Sequence, residues 1–340
     1  MQKKLIALAV AGLVSAPAFA QSNVTIYGVL DTFVGYSKAG EAKATGLISG
    51  GLAGNRIGFK GTEDLGNGLK ASFVLEQGFN IDDGQPSSSR QFHRQAWVGL
   101  KGGFGAVALG RQYAPGYFAT STHSAVSAGP LDPQAVLSAG LSINPGSAAR
   151  WDNSLTYKTP NMSGFTASAI YSFTGTSGTE VGDDRNDSND LGLGLDYKNG
   201  PLGISYVYHN TEDKTKNEVA EHYIGASYDF GVAKLIASYQ VANFEPAAGS
   251  DYDAKVAYLG AIIPVGAGNI HAAVGKRSDD RADRDATSYA LAYTYGLSKR
   301  TTLYAGINRT SNDDNAAFGS VLDATGENET AYALGVNHKF

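Results

Sequence analysis

The sequence predicts an all-β fold: a 16-stranded antiparallel transmembrane β-barrel. Three observations lead there. Segment after segment alternates with period two, which is the strand signal. The connections are by turns short and glycine-rich, then long and polar, as in barrels whose two rims differ. After the first twenty residues, no stretch approaches the roughly 18 uninterrupted apolar residues a spanning helix needs.

Met1–Ala20 carries Lys3 and Lys4, an apolar run from Leu5 to Val14, and Ala18-Phe19-Ala20. This is the pattern of a secretory signal with an A-x-A cleavage site, so residues 1–20 are expected to be removed and 21–340 to form the barrel. Without the signal, 25 basic and 32 acidic side chains leave a net charge of −7. No basic run or aromatic-basic cluster is present, which argues against nucleic acid as a partner. Cysteine is absent, so disulfides, thiolate metal sites and thiol catalysis are excluded. Glycine, at 43 of 340 residues, is close to twice the usual share of about 7%, and charged residues are 17% where soluble domains have about 25%. A chain moderately apolar throughout but never apolar in blocks fits a bacterial outer-membrane barrel, in which every second strand residue meets lipid.

The strands show the alternation directly. Phe165, Ala167, Ala169, Tyr171 and Phe173 share one face. Leu202, Ile204, Tyr206 and Tyr208 share another, as do Tyr289, Leu291, Tyr293, Tyr295 and Leu297. The opposite faces are small and polar, which suits a watery lumen. Seven short turns are expected at 63–68, 102–105, 160–164, 199–201, 230–232, 264–268 and 296–300. Eight longer loops are expected at 38–54, 81–92, 113–149, 174–189, 210–220, 243–253, 278–286 and 310–328. Fifteen connections imply sixteen strands with both termini on the short-turn, periplasmic side. A barrel of that size leaves an aqueous channel at its centre.

The chain ends in ETAYALGVNHKF, with Tyr332, Leu334, Val336, His338 and Phe340 on one parity. In a closed barrel this last strand must pair with the first, about Val24 to Tyr36. Its apolar face is then expected to meet lipid, with the Phe340 ring in the periplasmic aromatic girdle and His338 as an interface residue.

The stretch from Asn55 to Phe79 (NRIGFKGTEDLGNGLKASFVLEQGF) resembles the general diffusion porins, above all their betaproteobacterial and neisserial branch. Val24–Asp31 (VTIYGVLD), Arg94–Leu100 (RQAWVGL) and Leu109–Tyr113 (LGRQY) fit the same family, and the similarity runs through the whole mature chain. The resemblance implies a passive, water-filled channel for small hydrophilic solutes, with no reaction and no cofactor; a substrate-specific outer-membrane channel is the alternative. It implies a homotrimer in contact with outer-membrane lipid and lipopolysaccharide. It also implies that the barrel assembly machinery reads the strand ending in Phe340. The family's third outer loop folds inward and narrows the pore; here that loop is Tyr113–Ala149, the longest connection at 37 residues. Connections beyond about 15 residues are usually functional or disordered. The family's wall arginines match Arg56, Arg94 and Arg150. Parity independently turns Arg56 and Lys60 inward, since Ile57 and Phe59 share the outward face. By parity Arg94 falls with Ala96, Val98 and Leu100, so its inward direction rests on the resemblance; Arg150 stands at a strand mouth.

The only carboxylate in 113–149 is Asp132, and the segment has no lysine or arginine. Arg56, Lys60, Arg94 and Arg150 against Asp132 predict a positive constriction and a preference for anions. The local field in a narrow passage, not net charge, is what an ion meets. The alternative is that Asp132 and wall carboxylates such as Asp31 or Glu76 neutralise the arginines, which then mainly hold the loop.

Little other chemistry is legible. The six histidines show no two-histidine ligand spacing, so no metal site is expected. No G-x-S-x-G stands out, which speaks against the rival reading of a barrel esterase or protease. Every loop is under 40 residues, so the large outer domain of an anchoring barrel is missing. The acidic loop 174–189 lacks the glycine and the final glutamate of a calcium-binding loop and is read as solvated.

Overall fold

The computed structural model describes residues 23–127, 129–173, 189–322 and 324–340. The secretory signal and most of the acidic loop 174–189 lie outside the described residues. The strands are β1 (Asn23–Ala39), β2 (Ala42–Ser49), β3 (Arg56–Gly66), β4 (Leu69–Gly78), β5 (Gln95–Gly102), β6 (Gly105–Tyr113), β7 (Arg150–Lys158), β8 (Phe165–Ser172), β9 (Asp190–Asn199), β10 (Leu202–Glu212), β11 (Glu218–Asp229), β12 (Lys234–Glu245), β13 (Tyr252–Val265), β14 (Gly268–Asp279), β15 (Ala286–Gly296), β16 (Thr301–Asn312) and β17 (Glu329–Lys339). All pair antiparallel with their neighbours, and β1 pairs with β17 to close the sheet.

Seventeen segments make sixteen staves, because β2 and β3 are two halves of one. Both pair with β1, from Ala39–Ala42 to Thr32–Ser49 and from Val29–Arg56 to Asn23–Thr62. Between these ladders, residues 50–55 face only Leu30 and Asp31 of β1. The surplus backbone leaves the sheet as a bulge. The expected loop 38–54 is therefore corrected. Its outer end is a two-residue hairpin at Gly40 and Glu41, where Gly40 has φ +53°, and most of the rest is strand plus bulge. The expected loops 210–220, 243–253, 278–286 and 310–328 also shrink, to 213–217, 246–251, 280–285 and 313–328. Polar residues there continue the ladders past the apolar belt, where hydropathy no longer marks a strand. Seven short turns stand at the expected places, but those expected at 63–68 and 264–268 shrink to 67–68 and 266–267 because the ladders run on to Gly66 and Val265.

The alternating apolar faces point outward. Val34, Leu47, Val98, Leu109, Leu193, Ile224, Leu259, Leu291 and Leu334 are all at least 43% exposed. A large apolar band on an exposed surface is what lipid covers. At the seam, Phe340 N–H donates to the Gly28 carbonyl at 3.2 Å and Gly28 N–H to the Phe340 carbonyl at 3.1 Å. A Cβ on Gly28 would lie 2.4 Å from the Phe340 ring and 2.5 Å from the Arg56 carbonyl oxygen. Gly28→Ala is therefore expected to cost about 1–3 kcal/mol by overpacking, read as a lower urea midpoint in detergent. An unchanged midpoint would mean that the seam relaxes freely.

The connection 114–149 is ordered by its own local signals. Helix α1 (Pro115–Thr122) starts with proline at its first position. Helix α2 (Pro133–Leu137) is capped by Asp132, whose carboxylate accepts from Gln134 N–H at 3.0 Å, again with proline following. Asp132 also accepts from Ser124 Oγ at 2.8 Å. The segment is then tied to the strand faces opposite the exposed apolar ones. His209 Nε2 accepts from Gly116 N–H at 3.1 Å. Tyr258 Oη accepts from Ala125 N–H at 2.8 Å. Glu221 accepts from Ser142 N–H and Ile143 N–H at 2.6 and 3.0 Å. Arg277 donates to the Leu137 carbonyl at 2.9 Å. Wall glycines make room for it: a Cβ on Gly194, Gly275 or Gly306 would fall 2.7–2.8 Å from Pro115, Leu137 or Leu131. Part of the glycine excess is thus a set of sockets for this one segment.

Candidate functional site: an arginine-lined passage

Arg56 opens β3, Arg150 opens β7, and Arg94 stands one residue before β5. The parity argument does not reach Arg94, because its backbone lies outside the regular strand. Its guanidinium turns in to Glu76, with Nε 2.7 Å from Oε1, and donates to Tyr113 Oη at 2.9 Å. Arg56 Nε lies 3.7 Å from the other Glu76 oxygen, which also accepts from Tyr27 Oη at 2.9 Å. Arg150 lies over the Tyr113 ring, 5.1 Å from its centroid, and Tyr113 stacks on Tyr117 of α1 at 3.8 Å. An aromatic pair thus joins the arginines to the long connection.

These three arginines line one passage of about 430 Å³. Its other walls are the bulge at 50–54, Tyr117 and Ser121 of α1, and Ser127, Gly129, Pro130, Pro145 and Gly146 of the same connection. Among the described residues, no carboxylate lines it. Glu76, the partner of two of the arginines, is buried behind them with 3% exposure.

Lys60 and Asp132 are not in this passage. Lys60 stands four residues further along β3, toward the short-turn rim, with Nζ 4.9 Å from the Tyr27 ring centre. Asp132 is fully buried under Ser124 and α2, and burial pushes its pKa up to about 7. Asp31 is equally removed. It is fully buried and caged by the bulge, accepting from the N–H groups of Gly51, Leu52 and Ala53 at 2.9–3.0 Å, from Tyr304 Oη at 2.6 Å and from Asn337 Nδ2 at 2.7 Å. Of the carboxylates considered from sequence as neutralising partners, Glu76 alone pairs with these arginines among the described residues.

Sequence reasoning missed Arg90, Arg111 and the bulge. Arg90 and Arg111 share Asp152, each at 2.6 Å, and Arg111 Nε donates to the His93 carbonyl at 2.5 Å. With Arg94, Arg150 and Ser87 they line a second cavity beside the passage. A signal was present in Leu109-Gly-Arg-Gln-Tyr113. Gly110 has φ +132°, and the β6–β7 register shifts between Gly110 and Gln112. A glycine inside a strand marks such a bulge, which re-aims the next side chain.

His93 sits among these cations with Nε2 3.2 Å from Ser87 Oγ. Burial first, then Arg150, Arg94 and Arg111, lowers its pKa to about 4. A histidine depressed on folding favours the native state above its unfolded pKa, about 6.5. That contribution is lost as pH falls through the window down to about 4. The urea midpoint of the wild type in detergent is thus expected to drop more between pH 6.5 and 4 than that of His93→Gln. Parallel profiles would sink the assignment.

Comparisons with known proteins place the chain in a family. The family model for Gram-negative porins matches residues 7–315. The chain belongs to the Gram-negative porin family. It is 35% identical to outer membrane porin protein 32 of Delftia acidovorans over 359 residues, covering both chains in full. It is 30% identical to major outer membrane protein P.IB of Neisseria meningitidis, again over the whole of both. Among solved structures, the anion-selective porin from Comamonas acidovorans superposes with a TM-score of 0.82 at 32% identity, over 94% of this chain and 100% of that one. OmpT of Vibrio cholerae, at TM-score 0.69 and 16% identity, shares the fold. This porin is an outer-membrane channel for passive diffusion and not an enzyme.

Proposed function

We propose that this porin prefers anions, and that the connection 114–149 lies folded in the lumen and forms the constriction. The observation that carries the reading is a passage lined by Arg56, Arg94 and Arg150 and, among the described residues, by no carboxylate. Two charges 4 Å apart interact by about 1 kcal/mol in water and about 4 kcal/mol at an effective dielectric near 20. Even the lower value changes ion entry about fivefold. Glu76 offsets part of the cluster but sits behind it, and Asp132 acts as a helix cap. Lys60 adds a cation on the periplasmic approach. The anion selectivity named for the solved relative from Comamonas acidovorans supports the same reading.

The protein is further proposed to mature by loss of residues 1–20 and to work as a homotrimer among lipid and lipopolysaccharide. The Phe340 strand is proposed as the signal read by the barrel assembly machinery. The deciding experiment is the reversal potential of the purified porin in a planar bilayer under a potassium chloride gradient. A chloride-selective potential that shrinks at high salt is expected, because the screening length falls from about 10 Å at 0.1 M to about 3 Å at 1 M. A cation-selective potential would overturn the charge argument.

A further inference from the structure

Beyond the arginines, on the short-turn side of α1, the inner face of β5–β10 holds a cavity of about 220 Å³. A lumen for hydrophilic solutes is expected to be polar, yet this lining is chiefly carbon. Phe118 of α1 is 54% exposed although it projects from a segment otherwise largely buried. Trp97 shares the cavity from β5, on the parity opposite the lipid-facing Val98 and Leu100, and its Nε1 donates to Gln95 at 3.1 Å. Pro115 closes the roof because Gly194 has no side chain to displace it. Tyr113 also lines the cavity, edge-on to Phe118 with centroids 5.9 Å apart, while its hydroxyl accepts from Arg94. The cavity therefore adjoins the arginine cluster through a single ring.

One cation stands on its wall. Lys158 ends β7 and forms no ion pair among the described residues. The only carboxylate in the lining among the described residues, Asp196, is on β9, two strands away, and accepts from Ser205 Oγ at 2.6 Å. At about 4.8 Å per strand their backbones lie roughly 10 Å apart, and the two form no salt bridge among the described residues. Aromatic surface beside an unpaired cation, filled by water, is poorly satisfied. A flat ring carrying an anionic group satisfies both.

We propose that this cavity is a binding subsite for small aromatic carboxylates, reached from the periplasmic side of the constriction. The ring lies against Phe118 and Trp97, and the carboxylate pairs with Lys158. The proposal rests on the reading that α1 lies in the lumen, and it adds a selectivity by shape that the arginines do not provide.

Single-channel current tests it, with sodium benzoate or sodium butyrate added to one chamber at a time. Benzoate on the periplasmic side is expected to interrupt the chloride current at concentrations about tenfold lower than butyrate requires. A tenfold difference is about 1.4 kcal/mol, within what an aromatic pair contributes beyond area burial. Phe118→Ala is expected to remove that advantage while leaving the chloride-over-potassium reversal potential unchanged. Lys158→Gln is expected to weaken benzoate block several-fold without strengthening block by benzyl alcohol. Equal block by benzoate and butyrate, or block indifferent to Phe118→Ala, overturns the subsite even if the channel is anion-selective. A channel without anion selectivity that still shows Phe118-dependent benzoate block upholds the subsite and overturns the charge reading alone.

Discussion

Replacing Arg56 and Arg150 together by glutamine is expected to lower the chloride-over-potassium permeability ratio by about fivefold or more, with the barrel intact. Both arginines line the passage, and neither is the closer partner of Glu76. Each removes at least about 1 kcal/mol of attraction for an anion at contact distance. The Arg94–Glu76 pair and the Tyr27 hydroxyl still satisfy the buried carboxylate, so folding should be spared. The measurement is the reversal potential at low and high salt, where the difference between wild type and variant must narrow. An unchanged ratio at low salt would show that the arginines hold the loop and do not select ions. Arg94 should behave differently. Arg94→Gln takes the closest partner from a buried carboxylate, and breaking a buried pair from one side costs about 3–5 kcal/mol. Its main effect is therefore expected in the urea midpoint, with recovery in the Glu76→Gln/Arg94→Gln double variant.

The second large effect is expected at Asp31. Asp31→Ala should destabilise the barrel by about 3–5 kcal/mol, since three backbone N–H groups and two side chains lose a shared buried acceptor, and each orphaned group costs about 1–3 kcal/mol. Those donors come from the bulge, β16 and β17, so one carboxylate joins the first strand to the closing strand and to the surplus residues between β2 and β3. The bulge also supports the long connection: a Cβ on Gly129 would fall 1.7 Å from the Gly51 carbonyl oxygen, so the two backbones are in close contact. Loss of Asp31 is thus expected to blur ion selectivity as well as lower the urea midpoint. A variant with wild-type stability would mean that water replaces the carboxylate without cost.

The barrel was legible because a lipid-facing strand has to repeat itself. Phe165–Phe173 anticipated β8 to within a residue, and the seven short turns were marked by glycine, proline and asparagine. Closure by the last strand followed from the requirement that no edge remain unpaired in a membrane. The rim on the long-loop side was less legible. There both faces of a strand meet water, so alternation in hydropathy fades although the hydrogen-bond ladder continues.

The site divides along the same line. Arg56 could be placed from the residues alone, because Ile57 and Phe59 fix its parity. Arg94 could not, because its residue lies outside the ladder. The partners of the carboxylates were beyond reach of any local pattern: Asp31, Glu76 and Asp132 look alike in sequence. One cages a bulge, one pairs with arginines and one caps a helix. Local periodicity follows from each residue's contact with lipid or water, and it is written every second position. Which charge meets which depends on strands brought together from positions far apart, as Asp31 and Asn337 are at 306 residues. That pairing exists only once the barrel has closed.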